Sequence, residues 1–431
     1  MVLLVNPNMP VVLAKPSLHC FVPFTVAKLC TSGVALLLLA TCLAQGQLAP
    51  WVNLQRAPDG SNLVFQFTTQ SNWYYTFMQS SNLSGWGYAT NYYSRDTSLS
   101  WTNPVASNAA AAFFRVAVNP PNPTVVTNYH SWGNSISVNN GIVEVLIVPA
   151  AGRVQQFHFV GDTNGAFWEN PTYYGQSASP TAAWKDFGGD KPWPAPQNCW
   201  SNGGWPPFDF DTQTNSVAIT NGIVTLVRQV DGRFGIRATR SIQLLFNEPV
   251  MRVTTTFQRI SNTTPSSLIN SNLAVWIDCE VNVSTNSRVY IPVPSPSVFA
   301  NGYTLTGDAF FGPSLPPSYT QANGLISFGP DTAASHKVGF DSGTLVLVGT
   351  NISLRVEAPR VSGATYTSGF NSAVYTAKYT STSALVELEM LSPAPPLAVG
   401  ESREFVTTYT LFHRTGVTTD AEAQKILAWH F

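Results

Sequence analysis

The chain has 431 residues, of which 44% are apolar and only 10% are charged. It is longer than one small domain, and its apolar fraction is sufficient for a large core. With 22 basic residues against 23 acidic ones, the charge balance argues against nucleic-acid binding.

The first 44 residues have the pattern of an export signal. Lys28 precedes the apolar run 33–40 (GVALLLLA), and residues 41–44 (TCLA) offer small side chains for cleavage after Ala44. The run is shorter than the roughly 20 residues that a bilayer core requires. We therefore predict a secreted, periplasmic or cell-envelope protein without stable membrane insertion. A membrane anchor and lipid attachment through Cys42 are the alternatives.

Cleavage after Ala44 would remove three of the five cysteines and leave Cys199 and Cys279. In an exported protein these two residues are compatible with a single disulfide. Two separate buried thiols are equally compatible, because sequence spacing does not show whether the side chains meet.

Short aromatic strands predict a small β-sandwich module over residues 48–118. The expected strands are 62–68 (NLVFQFT), 73–80 (WYYTFMQS), 98–101 (SLSW) and 113–118 (FFRVAV). The Tyr-Tyr strand, the turn 80–86 (SSNLSGW) and the closing Phe-Phe-Arg-Val resemble an accessory module of exported bacterial proteins. Residues 119–124 contain three prolines and predict a stiff linker.

A second, larger all-β domain is predicted over residues 125–416. Asn-Gly pairs at 140–141 and 221–222 each separate two apolar strands, which is a strong hairpin signal. Nine further strands follow, at 153–160, 237–246, 251–260, 273–281, 344–349, 353–358, 374–379, 384–391 and 403–412. This many strands predict two large antiparallel sheets packed face to face.

Two segments of this chain do not follow the alternating strand pattern. Residues 188–200 (GGDKPWPAPQNCW) are predicted as an ordered loop, because Pro192, Pro194 and Pro196 lack the backbone donor that a helix or a central strand uses. Residues 417–431 are predicted to form a short C-terminal helix. It would begin with a capping box from Thr419 to Glu422 and continue with an apolar stripe.

Several motifs of the large domain resemble galactose-mutarotase-like domains. They are residues 140–149, Gly152-Arg153, 161–168 (GDTNGAFW), 387–393 (ELEMLSP) and 397–402 (LAVGES). Residues 188–197, 262–264 and 336–339 resemble one uncharacterised branch, a domain of unknown function. The resemblance spans residues 125–415 and implies a super-sandwich of two twisted sheets whose concave face binds sugar.

The same resemblance implies a catalytic pair in mutarotases proper: a general-acid histidine after the Asn-Thr turn and a glutamate base late in the chain. The corresponding segment here, residues 266–281, contains no histidine. Enzyme activity is therefore left open.

The tryptophan-rich segment 184–205 is the first candidate binding site. Aromatic faces pack against the C–H surface of a sugar ring, while charged and amide groups bind its hydroxyls. The segment contains Trp184, Trp193, Trp200 and Trp205, and we predict sugar contacts from Asp190, Lys191, Trp193, Gln197 and Trp205. The alternative is that the tryptophans pack beneath a long loop.

A second set of candidates would handle protons or complete the cleft. Glu387 and Glu389 lie two apart on a strand, so they share one face and would raise each other's pKa if buried together. Solvated carboxylates are the alternative. We predict His336 and Glu389 as an acid–base pair, with Arg153, His158 and Lys337 as further contacts. A half-buried structural role is the alternative for His158.

No cofactor is expected, since no zinc, phosphate-loop or Gly-x-Ser-x-Gly pattern occurs. Asp209 and Asp211 with Asp186 and Asp190 offer a calcium alternative. The sequence thus favours an exported bacterial protein that binds a mono-, oligo- or polysaccharide. The alternatives are a sugar-processing enzyme, epimerase-like or polysaccharide-processing, and a structural envelope protein.

Overall fold

The chain divides into an N-terminal unit that ends at Pro121 and a large unit, Asn122–Ala428. The computed structural model describes residues 2–5, 52–56, 62–69, 73–80, 87–94, 97–104, 112–119, 122–200, 205–246, 248–261, 272–306, 314–380 and 382–429. Among these residues no helix is long and apolar enough to cross a membrane. The apolar run 33–40, Ala44, most of the turn 80–86 and the Asn-Thr turn at 262–264 lie outside the described residues.

The N-terminal unit is built from two small antiparallel sheets. Its strands are β1 (Val2–Val5), β2 (Val52–Arg56), β3 (Asn62–Thr68), β4 (Trp73–Ser80), β5 (Gly87–Ser94), β6 (Ser98–Pro104) and β7 (Ala112–Asn119). One sheet has the order β1-β7-β4-β5 and the other β2-β3-β6. Phe65 and Trp101 of the second sheet stack at 4.9 Å and contact Phe114 and Phe77 of the first. The two sheets therefore share an aromatic core.

Nearly all of the regular secondary structure described in the large unit consists of strands. They are β8 (Thr124–Tyr129), β9 (Trp132–Asn139), β10 (Val143–Val148), β11 (Arg153–Phe159), β12 (Asp190–Ala195), β13 (Asn215–Thr220), β14 (Ile223–Arg228), β15 (Ile236–Leu244), β16 (Val250–Arg259), β17 (Ala274–Asn282), β18 (Arg288–Pro292), β19 (Thr304–Leu305), β20 (Thr320–Ala322), β21 (Leu325–Phe328), β22 (His336–Phe340), β23 (Thr344–Val348), β24 (Ile352–Glu357), β25 (Ser372–Thr376), β26 (Leu385–Leu391) and β27 (Ser402–His413). The helices are α1 (Phe208–Asp211) and α2 (Thr419–Ala428). The predicted all-β class is confirmed.

These strands form two antiparallel sheets of ten strands each. Sheet 1 has the order β19-β22-β25-β26-β17-β12-β11-β10-β9-β8, and sheet 2 the order β13-β14-β15-β16-β27-β24-β23-β18-β21-β20. In β15, every second residue is buried, which is typical of a strand with one face on the core. In contrast, β12, β17 and β22 of sheet 1 are buried on both faces. Sheet 1 thus has a second covered face, opposite the core.

The sequence suggests that the proline-rich segment is a loop, but part of it forms a strand. Residues 190–195 form β12, a central strand between β11 and β17. Glu280 N donates to Gly189 O at 3.0 Å. The odd-numbered residues of β12 therefore direct their backbone N–H and C=O groups towards β17. Pro192 and Pro194, at even positions, direct their nitrogens away from β17. On that side β11, which is fully described, pairs with β12 only at Val154 and Asp190. The prolines therefore occupy positions where no donor is needed.

Two glycines allow the chain to enter β12. Gly188 and Gly189 have φ values of 79° and 77°, a region that side chains disfavour. A Cβ on Gly188 would lie 2.2 Å from Trp168 O, and one on Gly189 would lie 2.5 Å from Val154 O. Only glycine fits at either position.

The two Asn-Gly turns differ from each other. Asn221 and Gly222 both have positive φ and connect β13 to β14 in a two-residue turn, as the sequence predicts. At the other turn only Gly141 has positive φ. There the Asn140 side chain accepts hydrogen bonds from Ile142 N and Val143 N.

The C-terminal helix α2 lies where the sequence predicts it, although its cap begins one residue earlier. The Thr418 hydroxyl accepts from Ala421 N at 3.4 Å, so Thr418 is the N-cap. The predicted stripe is present: Ala423 and Ile426 are buried against Tyr290, Val346 and Val348 of sheet 2.

Cys199 and Cys279 are both free thiols in the structure. Cys279 is fully buried in the core, and Cys199 lies in a short 3-10 turn, Gln197–Cys199. Of the two alternatives, separate thiols are therefore observed.

Candidate functional site

The covered second face of sheet 1 carries a set of charged and aromatic side chains, which we call the charged face. It comprises Arg153 of β11, Lys191 and Trp193 of β12, Trp276, Asp278 and Glu280 of β17, Glu387 and Glu389 of β26, Tyr375 of β25 and Lys337 of β22. Lys191 lies opposite Asp278, which lies opposite Glu389 on the next strand. Glu280 lies opposite Glu387, which lies opposite Tyr375. Residues on adjacent strands that oppose each other share one face, so the register gathers these groups.

Two buried lysines neutralise part of this face. Lys191 Nζ lies 2.8 Å from Asp278 Oδ2 and contacts Glu280 Oε1. Lys337 Nζ lies 2.8 Å from Glu389 Oε1. Burial opposes the ammonium form of both lysines, but the facing carboxylates outweigh this effect and raise their pKa values. Both lysines are therefore fixed cations.

Four carboxyl groups, Asp278, Glu280, Glu387 and Glu389, share these two ammonium groups. Burial raises the pKa of each, and the neighbouring carboxylates raise it further. Lys191 opposes the rise at Asp278 and Glu280, and Lys337 opposes it at Glu389. One oxygen each of Asp278, Glu387 and Glu389 lie within 4.8 Å of one another. The strand alternation predicted a shared face for Glu387 and Glu389, and the structure places both there.

The charged face contains buried polar atoms without a partner in the described part of the chain. The acceptors among them are Asp278 Oδ1, Glu280 Oε2 and Glu389 Oε2, and the donors are Trp193 Nε1, Trp276 Nε1, Arg153 Nε and Arg153 Nη1. Buried polar groups are nearly always paired in folded proteins. A ligand or ordered water that both donates and accepts hydrogen bonds would satisfy these groups.

Tryptophan rings form the apolar part of this face. Trp193 and Trp276 have centroids 5.8 Å apart, and Trp200 packs against both. The ammonium groups of Lys191 and Lys337 lie 4.7 Å and 4.3 Å from the centroids of Trp193 and Trp276. These distances are typical of cation–π contacts.

Arg153 is fixed at the edge of the charged face by a partner outside it. Its Nη2 lies 2.8 Å from Asp211 Oδ2, which also accepts from Trp184 Nε1. Arg228 Nη1 lies 3.5 Å from the other oxygen of Asp211, Oδ1. Burial disfavours the Asp211 carboxylate, but Arg153 and Arg228 outweigh it and lower its pKa. Asp211 therefore holds Arg153 in place and leaves its remaining donors unused.

The face opens to solvent on the side of β25 and β26. Glu387 and Tyr375 are only partly buried, and Lys337 keeps 9% exposure, whereas Lys191 and Asp278 have none. A ligand would therefore approach past Glu387, Tyr375 and Lys337.

Asp190, a predicted sugar contact, lies on the other side of the strand. Alternation along β12 directs Lys191 and Asp190 to opposite faces. Asp190 forms an ion pair with Arg240 of sheet 2 and accepts from the Tyr409 hydroxyl. It therefore connects the two sheets in the core and does not contribute to the charged face.

His336 is likewise placed away from its predicted partner Glu389. Because it precedes Lys337 on β22, it lies on the opposite face of the strand. Its Nε2 lies 2.8 Å from Asp331 Oδ2 and its Nδ1 lies 3.2 Å from Ser314 O. Both ring nitrogens are occupied, so the predicted acid–base pair is not brought together.

The other predicted contacts are scattered. His158 lies 3.5 Å from Glu144 on β10, near the far end of β11 from Arg153. Gln197 is half-buried in the turn after β12, and Trp205 is 52% exposed against Trp184. Trp193, Lys191, Arg153, Lys337 and Glu389 are the predicted site residues that converge.

The acidic residues of the calcium alternative are not gathered. Asp190 and Asp211 each form an ion pair with arginine. Among the described residues, the acidic group close enough to hold a metal is Asp278 with Glu387 and Glu389.

Several solved structures are similar to the chain, although no protein-family model and no curated protein match it. They include a proposed aldose 1-epimerase from Escherichia coli (13% identity, 64% of this chain and 98% of that chain, TM-score 0.42). A galactose mutarotase-like protein from Lactobacillus casei matches at 12% identity, over 64% of this chain and 100% of its own, with a TM-score of 0.45. A galactose mutarotase related enzyme from Lactobacillus acidophilus matches at 11% identity, over 66% of this chain and 99% of its own, with a TM-score of 0.40.

These solved structures carry names of the same kind as the family that the sequence motifs resemble. No family model corresponds to the uncharacterised branch that some motifs resemble. At these identities and TM-scores the likeness concerns the architecture alone and carries nothing about function.

Trp276, Asp278 and Glu280 are the main site residues that sequence reasoning missed. They alternate along WIDCEV (residues 276–281), where every intervening residue is apolar. Two acidic residues on one face of a strongly apolar strand are unusual. That pattern was the available signal.

Proposed function

We propose that the charged face binds a carbohydrate. The observation that carries this proposal is the mixture of orphan donors and acceptors beside stacked indole rings. A sugar hydroxyl both donates and accepts, so it can satisfy Trp276 Nε1 and Asp278 Oδ1 alike. The indole rings of Trp193 and Trp276 lie beside these groups and supply the aromatic part of the face, with Trp200 and the two lysines covering part of their surface.

Tryptophan fluorescence tests this proposal, since Trp193 and Trp276 lie on the charged face and Trp200 packs against both. The full chain is titrated with neutral, amino and acidic monosaccharides and their oligomers. We expect a saturable change with at least one of them. Trp276→Phe, which retains an aromatic ring but removes the Nε1 donor, should weaken that binding about fivefold or more, as expected for one hydrogen bond.

Trp132→Phe is the matched control. Trp132 is also buried in the large unit, but it donates to Gln176 O and takes no part in the charged face. Binding by this variant should equal that of the natural protein. Equal loss in both tryptophan variants, or no response to any sugar, would overturn the proposal.

A second function, proton transfer on the bound sugar, is favoured by the carboxyl groups. Lys337 opposes the rise in the pKa of Glu389, whereas burial and then acidic neighbours raise the pKa of Glu387 well above the usual range. Neighbouring carboxyl groups of unequal pKa suit a base and an acid. Polarimetry of sugar anomers tests this: catalysed interconversion should fall at least about a hundredfold in Glu389→Gln. Glu404→Gln, an exposed carboxylate of sheet 2, should be unaffected.

The site would act in an exported bacterial protein if residues 1–44, which include the edge strand β1 of the N-terminal unit, are cleaved as predicted. Mass spectrometry of the protein recovered from the periplasm or medium tests this step. A mature N-terminus after Ala44 supports export, and retention of residues 1–44 would contradict it.

A further inference from the structure

We propose that the sugar bound by the charged face carries a free amine, and that its ammonium group lies among Asp278, Glu387 and Glu389. This inference rests on the proposed carbohydrate function and specifies the class of sugar. Its starting point is the charge of the face, because two lysines face four carboxyl groups. When all four ionise, they exceed the two lysines by two negative charges, since Arg153, the third cation of the face, is paired with Asp211 outside it.

The unmatched charge is concentrated at the opening. Lys191 lies between Asp278 and Glu280, and Lys337 lies on Glu389. Glu387 has no ion pair within the described residues, and it borders the solvent. Its oxygen lies within 4.8 Å of oxygens from Asp278 and Glu389. A single cation entering past Glu387 would contact all three carboxylates.

A second observation points to a ligand with further polar groups. Trp193 and Trp276, 2% and 6% exposed, present indole donors without partners in the described part of the chain, and Arg153 presents two more. These donors require oxygen acceptors, which a bare cation lacks. The ligand must therefore combine an ammonium group with hydroxyl or ether oxygens, and an amino sugar has both.

Two other ligand classes fit less well. A divalent metal would have the ammonium groups of Lys191 and Lys337 within 2.8 Å of two of its three carboxylates, and calcium takes six to eight oxygens. An acidic sugar would bring a further negative charge towards four carboxyl groups. Neither class matches the excess of carboxylate over lysine.

Proton release provides an independent readout. The charged and titratable groups around the proposed ammonium are Arg153, Lys191, Asp278, Glu280, Lys337, Tyr375, Glu387 and Glu389 of the charged face, and Asp186, which acts on several of them electrostatically from outside it. Burial and the neighbouring carboxylates raise the pKa values of the four carboxyl groups, so the empty face binds protons more readily than free carboxyl groups do. An arriving ammonium would displace such protons, so binding should release protons and tighten as the pH rises while the amine stays protonated.

Isothermal titration calorimetry of the full chain tests the proposal. The probes are D-glucosamine, N-acetyl-D-glucosamine and D-glucose, with the galacto counterparts, in two buffers of different ionisation enthalpy. The amine should bind at least tenfold tighter than its acetylated and hydroxyl counterparts, which corresponds to about 1.4 kcal/mol. Glu387→Gln should reduce that preference about fivefold or more. Glu404→Gln should retain it.

Each contrary result has a distinct meaning. Equal affinity for the three members of a series would overturn the amino-sugar inference and leave carbohydrate binding intact. Absence of binding by every sugar would overturn both proposals. Saturable binding of calcium or magnesium chloride alone, with loss of glucosamine binding, would replace the amino sugar with a metal.

Discussion

Removal of the Lys191 ammonium group tests whether the charged face is built as described. Lys191 has no exposed surface, contacts Asp278 and Glu280, and lies 4.7 Å from the Trp193 centroid. Removing one partner of a buried ion pair costs about 3–5 kcal/mol. Both carboxyl groups can take up a proton in response, so we expect Lys191→Met to lose about 3 kcal/mol at pH 7, the lower end of that range.

The loss should depend on pH with a definite sign. The folded pKa values of Asp278 and Glu280 are already above their ordinary values, and without the ammonium they would rise further. A raised folded pKa favours the fold at low pH, and that advantage disappears as the pH rises through it. The loss in the free energy of unfolding caused by Lys191→Met should therefore be larger at pH 8 than at pH 5.

Urea unfolding followed by tryptophan fluorescence measures both quantities. The indole rings of Trp193, Trp200 and Trp276 report directly on the neighbourhood of residue 191. Lys378→Met is the control, because Lys378 is exposed and should change the free energy of unfolding by less than about 0.5 kcal/mol. A deficit below about 1 kcal/mol at pH 8, or one that is equal at pH 5, would refute the reasoning.

Three further predictions follow from the geometry. Pro192→Ala and Pro194→Ala should each cost about 1–2 kcal/mol in urea unfolding, because each removes two buried methylene groups but neither nitrogen faces β17; a cost above about 3 kcal/mol would contradict the assigned register. His336→Ala should leave sugar affinity unchanged in calorimetry, since its ring contacts Asp331 on the other face of β22, and a tenfold loss would return it to the site. Burial raises the pKa of Glu169 to about 7 despite its hydrogen bonds from Tyr129 and Gln156, so stability should fall as the pH rises through 7. Glu169→Gln should remove that fall in thermal melts between pH 5 and 8, and an unchanged pH profile would argue against it.

The architecture was largely accessible from local sequence patterns. Alternation within about ten residues locates β11, β15, β16, β17, β26 and β27 to within a few residues, because a strand with one buried face repeats every two residues. The capping residues and apolar stripe of α2 are also local. Similarly, the placement of Glu387 and Glu389 on the same face of β26 follows from strand periodicity alone.

The sequence by itself determined strand positions, the super-sandwich resemblance and individual members of the charged face such as Lys191 and Glu389. It did not determine which faces were buried or which strands were neighbours. The proline segment became a central strand because its pairing with β17 needs donors only from alternate residues, and β11 diverges on the other side. The charged face itself arises from cross-strand register, which brings Lys191, Asp278 and Glu389 side by side from distant parts of the chain. Register depends on contacts between segments remote in sequence, so tertiary structure alone decided it.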